Sequence, residues 1–420
     1  MEPPTATPTA DLWKRASTDF FNVAMEPEHR ANPYPLYAAS RENAPVYETG
    51  FGLWLAFTHE ATSTALRTPG ASSNEKRGRL YADFIAENSS GEAFGGLPML
   101  LFLDPPDHTR LRSLVAQAFT PRRADQLRDR VAAVAGRLIG EIADDHGPTD
   151  PVDLIERFAY PLPVTVICEL LGVPAADHAL FGEWSKHLAR SVDPGILRTP
   201  DDNARLAAAG TAFTEYFGAL IAERQAAPGE DLLSAMITAA ADGDRLTHEE
   251  LLGTGLLLLI AGHETTVNLI GNSIAAICSH PDQQQIVRTR GVDRAAIDEL
   301  LRFDSPVQMA QRIAIEPIIL GGLIVPALDS VITLLGAANH DPAVFAHPDR
   351  LDLTRQPVKP HVSFGGGIHH CLGAALARVE GEEALSALFA RFPDLSLAGT
   401  GVRRNSFTLR GYESLPVTTG

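Results

Sequence analysis

The chain has 420 residues, 45% of them hydrophobic, and a formal net charge of −17, so it can bury a large core and does not suit general nucleic-acid binding or a polybasic membrane anchor. Three cysteines at scattered spacings make no disulfide framework, which points to a reducing cytoplasm. The polar, Pro/Thr-rich start (Met1 to Arg15) lacks a signal-peptide core, and the longest apolar run, Leu256 to Ala261, is far too short to span a bilayer.

Residues 1–12 read as a mobile tail, and 13–420 as one mostly helical domain with a small β-rich portion. Asn32 to Tyr37 leads into a short helix. Ala44 to Glu48 and Leu53 to Phe57 read as two strands joined by a glycine-containing turn. Pro69 to Leu100 has little periodicity and reads as a long loop with a short helix. From Arg123 to Asp145, apolar Leu127, Val131, Val134, Leu138 and Ile142 recur at helical spacing, and further helices are expected at 152–171, 175–190, 202–226 and 230–241. Thr247 and Glu250 form a candidate capping box that opens the longest periodic stretch, to about Ser279 before Pro281. About 33 helical residues would span about 50 Å, enough to cross the molecule. Short β-like runs follow Pro306 to about Ser330, an irregular stretch covers 339–360, and Leu395 to Val417 reads as a β-hairpin.

Between the irregular stretch and the last helix lies His361 to Glu380, HVSFGGGIHHCLGAALARVE. Gly365, Gly366, Gly367 and Gly373 bracket Cys371 at the start of an Ala/Leu-rich helix. Glycine allows tight turning and close approach to a flat ligand, and a helix N-terminus favours thiolate. The pattern suits a thiolate presented to something bulky and electrophilic, and a haem iron fits. A buried free cysteine explains Cys168 and Cys278, which sit in apolar helical runs, better than it explains Cys371. A zinc site on His369, His370 and Cys371 would want a fourth ligand, and no partner C-x-x-C or H-x-x-x-H occurs elsewhere.

Phe364-Gly365-x-Gly367-x-His369-x-Cys371-x-Gly373 resembles the haem-binding signature of the cytochromes P-450, F-G-x-G-x-H-x-C-x-G. The resemblance extends from about Asn32 to the C-terminus, with motifs in the family's order. It implies the cytochrome P-450 fold, with the long helix lying over haem b (iron protoporphyrin IX) and Cys371 as the axial thiolate. Lacking the membrane helix of microsomal relatives, the chain is similar to the soluble bacterial branch. Ala261-Gly262-His263-Glu264-Thr265-Thr266 resembles the family's oxygen-activation motif A-G-x-[D/E]-T-[T/S]. Glycine within a helix costs about 1 kcal/mol relative to alanine, so Ala261 and Gly262 read as a small pair admitting a flat ring, with Thr265 opening a local bulge. By resemblance, Glu264 and Thr265 would relay protons to the dioxygen being reduced. A metalloprotease H-E-x-x-H fails, because Val267 stands where the second histidine is needed.

Glu299 and Arg302 match the family's E-x-x-R, and Arg350 the later arginine that completes a buried network holding the cysteine loop. His108 and Arg112 are four apart on an expected helix, and the resemblance implies that they seat the haem propionates with Arg312 and His369, while Arg110 reads as a surface residue. Phe94, Leu97, Leu257, Leu258, Ala261, Val307, Met309 and Phe407 would line a mainly apolar pocket, so the expected substrate is a hydrophobic small molecule. Arg110, Arg112, Arg122, Arg123, Arg128 and Arg130 outnumber Asp125 and Asp129 in one segment. That basic patch would steer an acidic partner, and family members of this type take electrons from a ferredoxin and its reductase. The resemblance therefore implies a monomeric, cytoplasmic monooxygenase using O2. Two alternatives remain: a peroxide-driven peroxygenase, and a non-catalytic haem-binding or gas-sensing protein.

Overall fold

The computed structural model describes residues 10–49, 52–81, 96–117, 119–239, 245–356 and 359–420. Its axis is the central helix His248–Cys278, 31 residues long and about 46 Å from end to end. The expected capping box is present: the Thr247 hydroxyl accepts from the Glu250 N–H (3.2 Å), and the Glu250 carboxylate accepts from the Thr247 N–H (2.8 Å). Pro281, which cannot continue the central helix, opens the next one, Pro281–Arg290, which the sequence reading passed over.

The central helix is hydrophobic on nearly every side because it is buried on nearly every side. One core cluster joins its C-terminal half (Val267, Ile270, Ile274) to Phe158, Leu385, Leu388 and Phe389. A second joins its N-terminal half (Leu256, Leu259) to Ile167, Phe181, Phe213 and Phe217. Burying each such side chain contributes about 1.5–3 kcal/mol. The Arg294–Phe303 helix and the cysteine helix Ala374–Arg391 pack against the same half as the first cluster.

A five-stranded sheet stands to one side, in the order Val46–Glu48, Leu53–Ala56, Ser330–Leu334, Met309–Ala314, Ala71–Ser72. Leu53–Ala56 and Ser330–Leu334 run parallel, and the other pairs are antiparallel. The C-terminal hairpin pairs Val402–Arg403 with Tyr412–Ser414.

Several expectations are corrected. Ala10 to Leu12, assigned to the tail, already belong to a helix running to Met25, and residues 1–9 lie outside the described residues. The 152–171 helix is broken into strand Val152–Asp153, a wide turn at Ile155–Ala159 and helix Pro161–Leu170. Asp153 accepts from the N–H groups of Ile155 and Leu415 (both 2.9 Å), which ties this start to the C-terminal segment instead of to a helix. That segment, expected as hairpin throughout, gives Ser396–Leu397 and Pro416–Thr418 to a separate sheet with Val152–Asp153.

A buried ion network pins the hairpin. Asp304 bonds to Arg410, to Arg403 (3.1 Å) and to the Tyr34 hydroxyl (2.7 Å). Burial opposes its charge, but the two guanidinium groups outweigh that and hold its carboxyl below the ordinary range. The unfolded chain therefore takes up the proton first, near pH 4. The stability this site adds is present above that pH and lost as pH falls through the folded value. Asp304→Asn leaves both arginines without their counter-charge and is expected to lose about 3 kcal/mol at neutral pH. Urea unfolding from pH 7 to pH 3 should also show a flatter acid limb in the variant.

Candidate haem-thiolate site

The cysteine loop turns where two glycines adopt left-handed backbone, Gly365 (φ 67°) and Gly367 (φ 65°). A Cβ at Gly367 would collide with the Leu66 carbonyl, so this close approach requires glycine. The turn is closed by hydrogen bonds from Gly365 N–H to Val362 C=O (2.8 Å) and from Cys371 N–H to Phe364 C=O (2.9 Å). Cys371 is exposed on its loop, just before the helix that starts at Ala374. The residue's surface is open at the loop, but the protein packed around the sulfur still disfavours its charge and pushes the thiol up. The Gly373 N–H and the charges of Arg112 and Arg378 oppose that shift.

Behind the loop lies the Glu299–Arg302 pair, almost fully buried. Arg302 donates to Glu299 (2.7 and 2.9 Å) and to the carbonyls of Asn339, Pro348 and Arg350 (2.9, 2.8 and 3.3 Å). The third arginine is Arg355, not Arg350. Arg355 Nε lies 2.9 Å from Glu299, and its fork reaches the carbonyls of Ala346, His347 and Arg350. Arg350 is exposed and contributes its backbone carbonyl, in a stretch that turns at His347 (φ 48°). Asn339, which the sequence reading missed, connects this network to the loop: it accepts from Val362 N–H and donates to Ser363 Oγ (both 2.8 Å). Its setting in Asn339-His340-Asp341-Pro342 is a turn signal, and nothing more in the sequence distinguishes it.

His108, Arg112, Arg312 and His369 converge beside the loop. His108 and His369 lie 4.1 Å apart between ring centroids. Neither ring nitrogen of buried His108, nor Nε2 of His369, has a hydrogen-bond partner among the described residues. Arg112 donates to the His370 carbonyl (2.6 Å), and Arg312 is buried with one bond to the Gln311 carbonyl (2.8 Å). Burial, then Arg312 and His108, holds His369 down at about 3, and burial pushes Arg312 down to about 10. Unpaired donors and crowded positive charge are what an anionic carboxylate ligand satisfies, so these residues fit haem propionates. Arg312→Gln together with His108→Phe is expected to speed haem loss at least tenfold, the worth of one charge-assisted hydrogen bond, measured by transfer to an apo-globin.

On the central helix, Ala261 is exposed and Thr265 half-buried, with the Thr265 hydroxyl donating to the Ala261 carbonyl (2.9 Å). The helix is continuous there, without the expected bulge. Gly262 faces Ile167, whose Cδ1 would lie 3.2 Å from an added Cβ, so this glycine lets a neighbouring helix approach closely. Glu264 turns away from Thr265 and is fully buried, 2.6 Å from Arg404 and 3.4 Å from His263. Adjacent residues on a helix point about 100° apart, which separates the expected acid–alcohol pair. Burial opposes the Glu264 charge, while Arg404 and then His263 bring its carboxyl below the ordinary range. Sequence reading gave no role to Arg404, since one arginine beside another in a hairpin carries no distinguishing signal. It also overlooked Glu380 on the cysteine helix, which burial pushes up to about 8 beside Thr266.

Of the pocket candidates, Leu97, Leu257, Leu258, Val307 and Met309 are half-buried and apolar, and Phe94 lies outside the described residues. Phe407 is instead packed into an N-terminal core cluster, edge-on to Phe20 (5.6 Å). Buried Asp193 holds it there, accepting from Ser406 Oγ and the N–H groups of Phe407 and Thr408 (2.8, 3.0 and 2.9 Å).

The basic patch is smaller than the sequence suggests. Arg110 pairs with Glu250, Arg128 with Glu382 and Glu383, and Arg130 with Glu169. Arg110 is thus not the free surface residue expected. Arg122 and Arg123 remain exposed.

A family model described as Cytochrome P450 matches residues 98–289 and 292–407. The chain is 41% identical to a vitamin D(3) 25-hydroxylase of Pseudonocardia autotrophica over 93% of this chain and 94% of the relative. It is 39% identical to a 6-deoxyerythronolide B hydroxylase of Saccharopolyspora erythraea, over 91% and 95% respectively. Among solved structures, ligand-free CYP164A2 of Mycobacterium smegmatis superposes with a TM-score of 0.85 at 38% identity, covering 96% of this chain and 100% of that one.

Proposed function

The chain belongs to the cytochrome P450 family of oxygen-incorporating oxidoreductases, and from that premise we propose that it holds haem b on Cys371 and oxidises a hydrophobic small molecule with O2. One oxygen atom of O2 enters a C–H bond or a double bond of the substrate and the other leaves as water, with two protons and with two electrons from a ferredoxin and its reductase. The haem supplies the redox chemistry that activates dioxygen. The carrying observation is the convergence of His108, Arg112, Arg312 and His369, with unpartnered donors, beside the loop that presents Cys371.

The protein's own groups divide the remaining work. Cys371 would hold the haem iron through its thiolate, and the Glu299–Arg302–Arg355 network keeps its loop in register through Asn339. Thr265 presents a hydroxyl beside exposed Ala261, where it orients a water or holds a proton. Glu264 is the acid that replenishes that proton, and to reach Thr265 it must leave Arg404. Leu97, Leu257, Leu258, Val307 and Met309 offer the apolar surface that would exclude water around the substrate. The relatives named for hydroxylating vitamin D(3) and 6-deoxyerythronolide B support a substrate of that general kind. Arg122 and Arg123 are the exposed charges available to an acidic ferredoxin. No helix among the described residues is long and apolar enough to cross a membrane. A monomeric, single-domain cytoplasmic enzyme is the simplest assignment.

The test is turnover of spin-shifting substrates with a ferredoxin, its reductase and NAD(P)H, beside peroxide alone. Product from the first system, with little from the second, supports the proposal. Product from peroxide alone would make the protein a peroxygenase, and carbon monoxide binding without any substrate-linked spin shift or product would make it a haem-binding sensor.

A further inference from the structure

Arg378 lies seven residues beyond Cys371 and one turn into the cysteine helix, which starts at Ala374. Its side chain runs back toward the helix start, as helical side chains do, and Nη1 reaches the Ala374 carbonyl (3.2 Å). Nε donates to Asp298 Oδ1 at 2.7 Å, and the guanidinium lies over the Phe364 ring, 4.5 Å from its centroid. Phe364 in turn accepts the Cys371 N–H through its carbonyl. Asp298 is anchored a second time, since His361 Nε2 sits 3.2 Å from the same Oδ1. A permanent cation is therefore clamped on three sides behind the cysteine loop, with its side chain only 15% exposed.

Through Phe364 and through Asp298 and His361, Arg378 is one more tie on a loop that is held elsewhere as well. The loop is already tied by Asn339, Ser363 and the glycine turns, and the propionate cluster uses Arg112, Arg312 and the two histidines. A loose surface arginine would be screened by water and salt, whereas one fixed against an aromatic face in a partly dry site exerts a steady field.

We propose that Arg378 tunes the reduction potential of the iron held by Cys371, with Asp298 setting how much of its charge is felt. The inference rests on Cys371 being the axial ligand. Adding an electron to the centre makes it more negative, so a fixed cation nearby favours the reduced form and a fixed anion disfavours it. Arg378 thus raises the potential, and Asp298 moderates the rise while holding the guanidinium in place.

The experiment is a dye-mediated redox titration of substrate-free holoenzyme for wild type, Arg378→Gln, Arg378→Lys and Asp298→Asn. A reduced carbon monoxide spectrum is recorded for each. The expected order is Arg378→Gln most negative, wild type and Arg378→Lys close together, and Asp298→Asn most positive. Both Arg378→Gln and Asp298→Asn loosen the same contact, so opposite shifts report charge and not slack in the loop. Equal potentials, or shifts of one sign in both variants, overturn the proposal. If Arg378→Gln does not yield folded protein, Asp298→Asn decides alone: a positive shift supports the proposal, and no shift or a negative one overturns it. A wild-type spectrum without a red-shifted Soret band would instead remove the ligand assignment on which the proposal rests.

Discussion

Cys371→Ser is expected to abolish the red-shifted Soret band of the reduced, carbon monoxide-bound protein and to remove oxygenation activity with it. Thiolate is the ligand that donates electron density to iron and favours O–O cleavage, and a serine hydroxyl remains protonated at neutral pH and binds weakly. The variant should nevertheless fold. Cys371 is exposed on its loop, and the turn is closed by backbone hydrogen bonds to Phe364 and Val362 that a serine leaves intact. Haem retention should fall only partly, because His108, Arg112, Arg312 and His369 act on the other end of the group. A red-shifted band surviving in the variant would refute the assignment of Cys371. Neither Cys168 nor Cys278 is placed to substitute for it: Cys168 is buried in a core cluster on the Pro161–Leu170 helix, and Cys278 ends the central helix with its thiol on the Leu395 carbonyl (3.5 Å).

How much of this was legible in the sequence depends on how local the signal is. The central helix could be read to within a residue, because Thr247, Glu250 and Pro281 act on their immediate neighbours. The cysteine loop was legible for the same reason: glycines at fixed offsets encode a turn whose requirements are steric. Residues that act through distant chain segments were harder. Arg350 and Arg355 are five apart in an irregular stretch, and only the fold of that stretch decides which guanidinium reaches Glu299. The approach of Ile167 to Gly262 was not legible, because Ile167 lies on a different helix. Glu264 and Thr265 are adjacent in sequence yet face different neighbours, because Arg404 arrives from a hairpin about 140 residues away, a separation that helical periodicity alone does not register.

That contrast supplies a second large prediction. Arg355→Ala should destabilise the fold by about 3–5 kcal/mol, as expected when one partner of a buried ionic network is removed, and Arg350→Ala should change stability by less than about 0.5 kcal/mol, the usual range for a surface change. Glu299 is buried, accepts hydrogen bonds from Arg302 and the Asp352 N–H (3.1 Å), and is ion-paired with Arg355. Losing Arg355 leaves that carboxylate with one cation and frees the carbonyls of Ala346 and His347, whose bonds close the irregular stretch. Losing the Arg350 side chain removes nothing, because its contribution is its carbonyl, which alanine retains. The effect should also reach the haem site. Arg302 holds the Asn339 carbonyl while the Asn339 side chain holds Val362 and Ser363, so disorder around Glu299 loosens the turn that presents Cys371. Chemical denaturation of both variants, read beside the fraction of thiolate-type carbon monoxide signal, separates the two arginines. Equal losses in the two variants would mean that the network is not organised around Arg355.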